Sequence, residues 1–321
     1  MRGGGTKLDT ILSKTGFKQA CIDSGISVPK NYSVGSPVKF PVIVKPADNG
    51  GSKGITICHS QQELDSAVTK ALSFSDKGQV LIEEYLTCDE IMVYFTVHNG
   101  TATLSAMCDR YMHRFHDNIT QLPVGYYFPS KYLGVFVEHN LEKFRTLIKN
   151  LGISDGLIAF QSFVRGNDVM PFDPTYRLDG TMAYHMIEHR NGINVVELLI
   201  RKSLTGSMGD DAEIQRLENP YFTAPAFELP ILLGKGTITR VEGLEEVEAM
   251  PDVVYVSKRD KVLGAVMENA ADFTQMLCRV HICAENDAEI QRDVQEIYSR
   301  IKVFDENGRD MVIWRNAFML S

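Results

Sequence analysis

Residues 44–55 constrain this chain more than any other part of its sequence. A short apolar run ends at Lys45 and Pro46, and a loop with three glycines leads to a second apolar run at Ile55. Glycine lets backbone amides approach a phosphate closely, and successive amides form an anion-binding concavity. Lys45 and Lys53 would add positive charge. The segment predicts two strands joined by a phosphate-binding loop, and the alternative is a mobile hairpin loop with two solvated lysines.

An acidic strand end lies further along the chain. Residues 80–86 begin as an apolar run and continue into Glu83, Glu84 and Tyr85. Such a strand end can present backbone amide and carbonyl groups to the edge of an adenine, with Glu90 within reach of a ribose. The alternative is a strand that ends in solvent at its acidic residues.

Two oxygen-bearing side chains lie on the two arms of a predicted hairpin. Gln161 belongs to one apolar run and Asp173 to the next, with a tight turn at 165–168 between them. They can face one another, and such a pair suits Mg²⁺, which takes one or two carboxylates plus phosphate oxygens and waters. Arg177 could brace a transferring phosphoryl group or an anionic intermediate. The alternative is a surface hairpin in which Asp173 pairs with Arg177.

Hydrophobic periodicity predicts the remaining elements. Helices are expected at 8–24, 60–71, 137–151, 181–190, 194–204 and 288–301, and the polar stretch 207–219 is the best linker candidate. Strands are expected at 40–46, 55–58, 80–85, 90–98, 101–107, 157–164, 169–173, 236–241, 253–256, 262–266 and 279–283. Asn99-Gly100 predicts a type I′ hairpin turn, because it supplies the positive φ angles. A basic cluster at 110–116 could hold an anion or form a solvated loop.

Composition excludes several classes of protein. A formal charge of −8 without a basic block argues against nucleic acid or an anionic membrane as the main partner. No run approaches the ~18 apolar residues that a membrane span needs, and the N-terminus lacks the apolar stretch of a signal peptide. Six cysteines without a CxxC pair predict reduced thiols rather than a disulfide framework or a zinc site. These features predict a cytoplasmic globular protein.

In their order and spacing, the segments resemble the ATP-grasp superfamily over about residues 9–206. Lys14 and the sequence Gly-Ile-Ser-Val-Pro at 25–29 resemble the family's opening helix and its exit. Residues 44–54 are similar to its second lysine and phosphate lid, and residues 83–86 to its adenine hinge. Residues 173–177 stand where the family usually shows Glu-x-Asn-Pro-Arg. The C-terminal part resembles the last lobe of L-amino-acid ligases.

The resemblance implies a set of site residues. Lys45 and Arg177 would be catalytic, and Gln161 and Asp173 would hold Mg²⁺. Nucleotide contacts would come from Lys14, Lys45, Gly50, Gly51, Ser52, Lys53, Glu83, Glu84, Leu86 and Glu90. Asp173 replaces the family's glutamate and Thr175 its asparagine, so a second metal would be lost or bound through water.

The resemblance also implies an α+β fold, with two ATP-grasp lobes and a small C-terminal α/β lobe. The expected parts are an entry helix and linker at 1–40, a lid lobe at 41–95, a catalytic lobe at 96–206 and a C-terminal lobe at 207–321. Family members carry a preceding α/β domain that helps build the acceptor pocket. The chain is therefore expected to be a fragment, a split subunit or a minimal member, with a missing N-terminal domain or a partner subunit as its complement. The resemblance also allows a homodimer.

The implied activity is carboxylate–amine ligation that depends on ATP and Mg²⁺. A small-molecule carboxylate would become an acylphosphate, and an amine would then displace phosphate. Two alternatives stay open. One is a catalytically inert nucleotide-binding subunit of a split synthetase, which the altered residues Asp173 and Thr175 favour. The other is phosphorylation of bicarbonate as in carbamoyl-phosphate synthase, which Gln161 fits.

Overall fold

The computed structural model describes residues 11, 13–48, 54–114, 121–258, 263–268, 275–313 and 315. Its helices are α1 (Lys14–Asp23), α2 (Gln61–Ser73), α3 (Leu133–His139), α4 (Leu141–Asn150), α5 (Tyr184–Asn191), α6 (Val195–Thr205), α7 (Asp211–Gln215), α8 (Leu244–Glu248) and α9 (Asp287–Arg300). Among these residues, no helix combines the length and apolar character needed to cross a bilayer.

The strands divide between two principal sheets and two short strand pairs. They are β1 (Asn31–Tyr32), β2 (Val42–Pro46), β3 (Thr56–Cys58), β4 (Val80–Glu84), β5 (Asp89–His98), β6 (Thr101–Arg114), β7 (Gln121–Phe128), β8 (Gly156–Arg165), β9 (Asp168–Thr175), β10 (Ala226–Leu232), β11 (Gly236–Thr237), β12 (Arg240–Glu242), β13 (Val253–Lys258), β14 (Val266–Met267), β15 (Met276–Cys283) and β16 (Lys302–Phe304). The mixture of helices with antiparallel sheets confirms the predicted α+β class.

The small sheet has the strand order β1-β4-β2-β3 and carries α2 on one face. Val42 and Val44 are fully buried against Leu64 and Ala67 of the helix. The predicted capping box starts α2, since the Ser60 hydroxyl accepts from the Glu63 amide at 3.3 Å. This sheet and α2 are called the small lobe below.

The large sheet has the order β13-β15-β10-β7-β6-β5-β8-β9. On one face, α1, α3 and α4 cover the strands around β5, and α9 covers the strands around β15. Helices α5 and α6 cover the opposite face. C-terminal strands thus join the same sheet as β5–β9. Sheet pairing alone does not delimit folding units, so the four-part division of the chain stays a prediction.

Most local predictions are confirmed, but the structure differs at 137–151, at 207–219 and at 262–266, where residues 263–264 form a turn. Asn99 and Gly100 have φ of 48° and 76°, as a type I′ turn requires. The predicted helix at 137–151 breaks at Asn140, whose side chain donates to the Asn167 carbonyl at 2.8 Å and so bonds to the β8–β9 turn. The predicted linker at 207–219 instead contains α7, and Ile214 of this helix is buried.

Candidate functional site

A cleft with a volume of about 700 Å³ lies between the small lobe and the large sheet. That volume falls in the range of small-molecule and cofactor sites, roughly 300–1,000 Å³. Seven of the predicted site residues line it: Lys14, Lys45, Glu83, Glu84, Leu86, Glu90 and Gln161. Asp173 and Arg177 are not among its lining residues. Gln161 lines the same cleft from the large sheet. The structure therefore brings together residues that are far apart in the sequence.

Two lysines approach the cleft from different elements. Lys14 begins α1, and its Nζ donates to the carbonyl of Pro46 at 3.0 Å. Lys45 lies near the end of β2, where the chain leaves the sheet for the glycine-rich loop. Burial and the nearby charge of Lys45 lower the pKa of Lys14, although Asp173, Glu83 and Asp48 oppose this. The cleft thus holds concentrated positive charge.

Glu83 is a buried carboxylate that pairs with two lysines. Its side chain pairs with Lys45, and its Oε1 accepts from Lys18 at 2.7 Å. Burial alone would raise the pKa of Glu83, but Lys45 and Lys18 outweigh it and hold that pKa below its usual value. Lys18 is a residue that the sequence analysis missed. Its spacing of four from Lys14, on one helical face, is a signal that could have found it.

Most hinge groups are already bonded within the protein. The Glu84 carboxylate accepts from the Lys30 amide at 2.9 Å and from Arg165 at 3.2 Å. The backbone amides of Glu84 and Tyr85 donate to the carbonyls of Lys30 and Pro41. Leu86 follows directly after β4 and lines the cleft. Of the predicted hinge, Leu86 is therefore the residue best placed to offer its backbone to a ligand.

Gln161 and Asp173 are directly opposite each other on β8 and β9, as the sequence predicts. The side chain of Asp173 is exposed. The surrounding protein nevertheless removes part of the water around its carboxylate, and this desolvation raises the pKa of Asp173. Arg110, Lys14, Arg177 and Lys45 act in the opposite direction. Arg177 is exposed, and its Nη1 donates to the carbonyl of Leu178 at 2.8 Å. An amide oxygen and a carboxylate are oxygen donors of the kind Mg²⁺ accepts.

Glu90 pairs with Arg110 across the β5–β6 hairpin, and both side chains are nearly buried. The Arg110 guanidinium also lies 5.8 Å from the ring centre of Tyr126. In the sequence, Arg110 was one member of a basic cluster with two interpretations. The structure places it in the wall of the cleft, close enough to Asp173 to lower its pKa.

The predicted phosphate loop lies outside the described residues, and so do Gly50, Gly51, Ser52 and Lys53. The base of the loop is described. Asp48 accepts from the Ser75 hydroxyl at 2.6 Å and from the Lys77 amide at 2.7 Å. At the other end, Gly54 has φ of 73°, and a Cβ there would lie 2.9 Å from side-chain atoms of Phe74 and Pro46. Both ends of the loop are therefore fixed to the small lobe.

The segment after β9 is held by a buried histidine. The Nε2 atom of His281 donates to the carbonyl of Thr181 at 2.7 Å, and the next residue, Met182, has φ of 57°. His281 is fully buried beside His185 and Arg279, and burial is the main reason why its pKa falls to about 4. The protein therefore fixes the path of the chain just beyond Arg177.

Acidification is expected to destabilise the protein through His281. Since the folded-state pKa of about 4 lies below the unfolded value near 6.5, the unfolded chain binds more protons between these pH values. Stability should fall as the pH drops through 6.5. From pH 7 to pH 5, the wild type should lose about 2 kcal/mol more unfolding free energy than His281→Asn does. Urea unfolding at both pH values measures this, and equal losses in the two proteins would contradict it.

Comparisons with known proteins agree with the fold. A family model described as the D-ala D-ala ligase C-terminus matches residues 25–120. A D-alanine–D-alanine ligase of Fusobacterium nucleatum is 36% identical over 92 residues, which cover 28% of this chain and 29% of the relative. A formate-dependent phosphoribosylglycinamide formyltransferase of Synechococcus is 28% identical over 262 residues, which cover 78% of this chain and 62% of the relative. The chain thus matches less than two thirds of the length of either relative.

A solved structure shows the same architecture over nearly the whole chain. An L-amino acid ligase from Bacillus licheniformis matches with a TM-score of 0.77 at 16% identity, covering 96% of this chain and 75% of that one. At such low identity the likeness shows the fold. The chain is thus similar at residues 25–120 to the D-ala D-ala ligase C-terminus and shares the fold of the L-amino acid ligase.

Proposed function

We propose that the chain binds ATP with Mg²⁺ in the cleft and activates a carboxylate as an acylphosphate for attack by an amine. The observation that carries this proposal is the convergence of Lys14, Lys45 and Gln161 at one cleft of about 700 Å³, with Asp173 opposite Gln161 on the adjacent strand. Phosphoryl transfer needs positioning and charge neutralisation more than covalent help from the protein. Lysines beside oxygen donors supply both.

Each residue has a distinct role in this proposal. Lys14, Lys45 and the loop residues Gly50, Gly51, Ser52 and Lys53 bind the phosphates. The backbone around Leu86 binds the adenine, and Glu83 and Glu84 hold the hinge through their ion pairs. Glu90 lies on the ribose side. Gln161 and Asp173 hold the cation, which, when bound, neutralises phosphate charge, and Arg177 stabilises the anionic intermediate.

The reaction would proceed in two displacements. A carboxylate oxygen of the substrate attacks the γ-phosphorus of ATP, and the bond from that phosphorus to the β,γ-bridging oxygen breaks, releasing ADP. The nitrogen of an amine then attacks the acyl carbon, inorganic phosphate leaves, and the nitrogen loses a proton. Lys45 and Arg177 offset the negative charge in the first and second step respectively.

The partners in this proposal are small-molecule substrates in the cytoplasm. A preceding domain or a partner subunit would complete the acceptor pocket, and a homodimer fits the same scheme. The net charge of −8 supports a protein that binds neither nucleic acid nor an anionic membrane. The L-amino acid ligase that shares this fold supports an amino acid as one substrate.

A second candidate is a nucleotide-binding subunit without catalytic activity. Asp173 and Thr175 favour it because both side chains are shorter than those in the motif they resemble. The carboxylates of Glu83 and Glu84 favour it too, because protein groups already engage them. A carbamoyl-phosphate synthase-like enzyme that phosphorylates bicarbonate is the other alternative, and the neutral donor Gln161 supports it.

Phosphate release from ATP tests the proposal. The purified chain is incubated with ATP, Mg²⁺ and pools of L-amino acids, and bicarbonate is supplied in a parallel reaction. Release that needs an amino acid and is lost in Asp173→Asn supports the ligase. Release that needs only bicarbonate replaces it with the synthase-like alternative. ATP binding without release under any condition replaces it with the inert subunit.

A further inference from the structure

The β8–β9 hairpin, from which Gln161 lines the cleft, offers few oxygen donors to a divalent cation. On β9, Asp173 and Thr175 are two positions apart and so share a face, and their partners on β8 are Gln161 and Ala159. The donors are therefore one amide oxygen, one carboxylate and one hydroxyl. Only the carboxylate is charged.

The other carboxylates in the cleft wall already have protein partners. Glu83 pairs with two lysines, Glu90 with Arg110, and Glu84 with Arg165. Asp89 pairs with Lys131 at 2.8 Å, and Asp109 accepts from the Ser130 hydroxyl at 2.5 Å. In contrast, Asp173 has no hydrogen bond or ion pair with any residue that the structure describes.

Positive charge surrounds this one available carboxylate. Lys14, Lys45 and Arg110 line the cleft beside Gln161, the strand partner of Asp173, and Arg177 follows two residues after the end of β9. Mg²⁺ requires near-ideal octahedral oxygen coordination, and paired ions about 3.5–4 Å apart act as a clamp on both sides of the transferred group. A second dication would find no second carboxylate on this face of the hairpin and would face the positive charge of these four side chains.

We infer that the cleft takes a single divalent cation, held by Gln161 and Asp173 against the nucleotide phosphates, with Arg110 and the lysines supplying the remaining positive charge. This inference rests on the proposed function. It adds that cationic side chains of the protein neutralise the phosphate charge that a second metal ion would otherwise neutralise. Arg110 belongs to this arrangement because its pairing with Glu90 holds it in the cleft wall.

Electron paramagnetic resonance of bound Mn²⁺ tests the number of ions. The chain is saturated with the non-hydrolysable analogue adenosine 5′-(β,γ-imido)triphosphate and titrated with Mn²⁺. One bound Mn²⁺ per chain, with the spectrum of an isolated ion, is expected. Two bound ions per chain, or a spectrum of spin-coupled Mn²⁺, would overturn the inference and leave the proposed function standing. If no Mn²⁺ binds in a nucleotide-dependent way, the proposed function fails and the inference fails with it.

A gain-of-site variant tests the cause. In Asp173→Glu/Thr175→Asn, a longer carboxylate and an amide oxygen replace the short donors. The number of bound Mn²⁺ ions per chain is expected to rise from one to two. The matched control is Asp168→Glu, which adds a methylene on the same hairpin at its turn end and should keep that number at one. If the double variant still bound one ion per chain, Asp173 and Thr175 would not be the side chains that limit the number of bound ions.

Discussion

Lys45→Ala is expected to weaken ATP binding by roughly 10- to 150-fold, the effect of losing one hydrogen bond to a charged group, about 1.5–3 kcal/mol. Turnover should be lost with it, because the lysine would neutralise charge on the transferred phosphoryl group. The fold should survive. Glu83, the buried partner of Lys45, keeps its contact with Lys18 at 2.7 Å, so the substitution does not strand a buried charge.

Thermal-shift titration with ATP and Mg²⁺ measures this effect. At 100 times Kd the wild type gains about 2.7 kcal/mol of stability, which is roughly several degrees in Tm for a chain of this size. The variant at the same ATP concentration should shift by much less, with an unchanged Tm in the absence of ATP. Lys70→Ala, on the exposed surface of α2, is the matched control. A full shift in Lys45→Ala would contradict the assignment.

Local signals predicted the small lobe well because its elements end at residues with strong backbone preferences. Ser60 and Glu63 mark the start of α2, and prolines 41 and 46 mark the limits of β2. Such residues act on their immediate neighbours, so the sequence shows their effect directly. Gln161 and Asp173 were predicted on the two arms of one hairpin, but counting back from its turn places Phe172 opposite Gln161. A register shift between Gln161 and Ser162 brings Asp173 there instead.

Two central strands were missed because their sequences contain strand breakers. Pro123 and Gly125 lie in β7, and Pro230 lies in β10. The sheet accepts them through tertiary contacts. The pairing of β10 with β7 ends at Glu228, before Pro230, and a Cβ at Gly125 would overlap the ring of Phe227. Propensity cannot show either circumstance, because each depends on a strand about a hundred residues away.

The partner of Glu90 shows how site geometry escapes a sequence. Counting back from the pair His98 and Thr101 at the Asn-Gly turn places Glu90 opposite Asp109, a repulsive pair. A bulge between Tyr94 and Phe95 shifts the register by one, so that Glu90 instead faces Arg110. The ion pair in the cleft wall thus depends on one irregularity. The contact of Glu83 with Lys18 likewise depends on the docking of α1 against the small lobe, whereas Lys45 reaches Glu83 from the adjacent strand β2.

Arg279→Met is expected to destabilise the protein by about 3–5 kcal/mol, the range for removing one member of a buried ion pair. The Glu228 carboxylate is fully buried, and Arg279 is its cationic partner on the adjacent strand β15. The substitution keeps a long apolar side chain but leaves the carboxylate without its positive charge. The loss follows from the stranded charge and not from a cavity. Urea unfolding of the variant and the wild type measures it.

The double variant Glu228→Leu/Arg279→Met separates the charge from the packing. Because two apolar side chains need no desolvated charge, it should recover most of the lost stability. Recovery would show that the ion pair is not required for folding. The pair would then serve to place charge along a row of side chains that leads to the cleft, namely Glu228, Tyr126, Arg110 and Glu90. A double variant as unstable as Arg279→Met would contradict this, because the side-chain shapes would then be limiting. In that case the Arg279 stem, and not its charge, would hold β10 and β15 together.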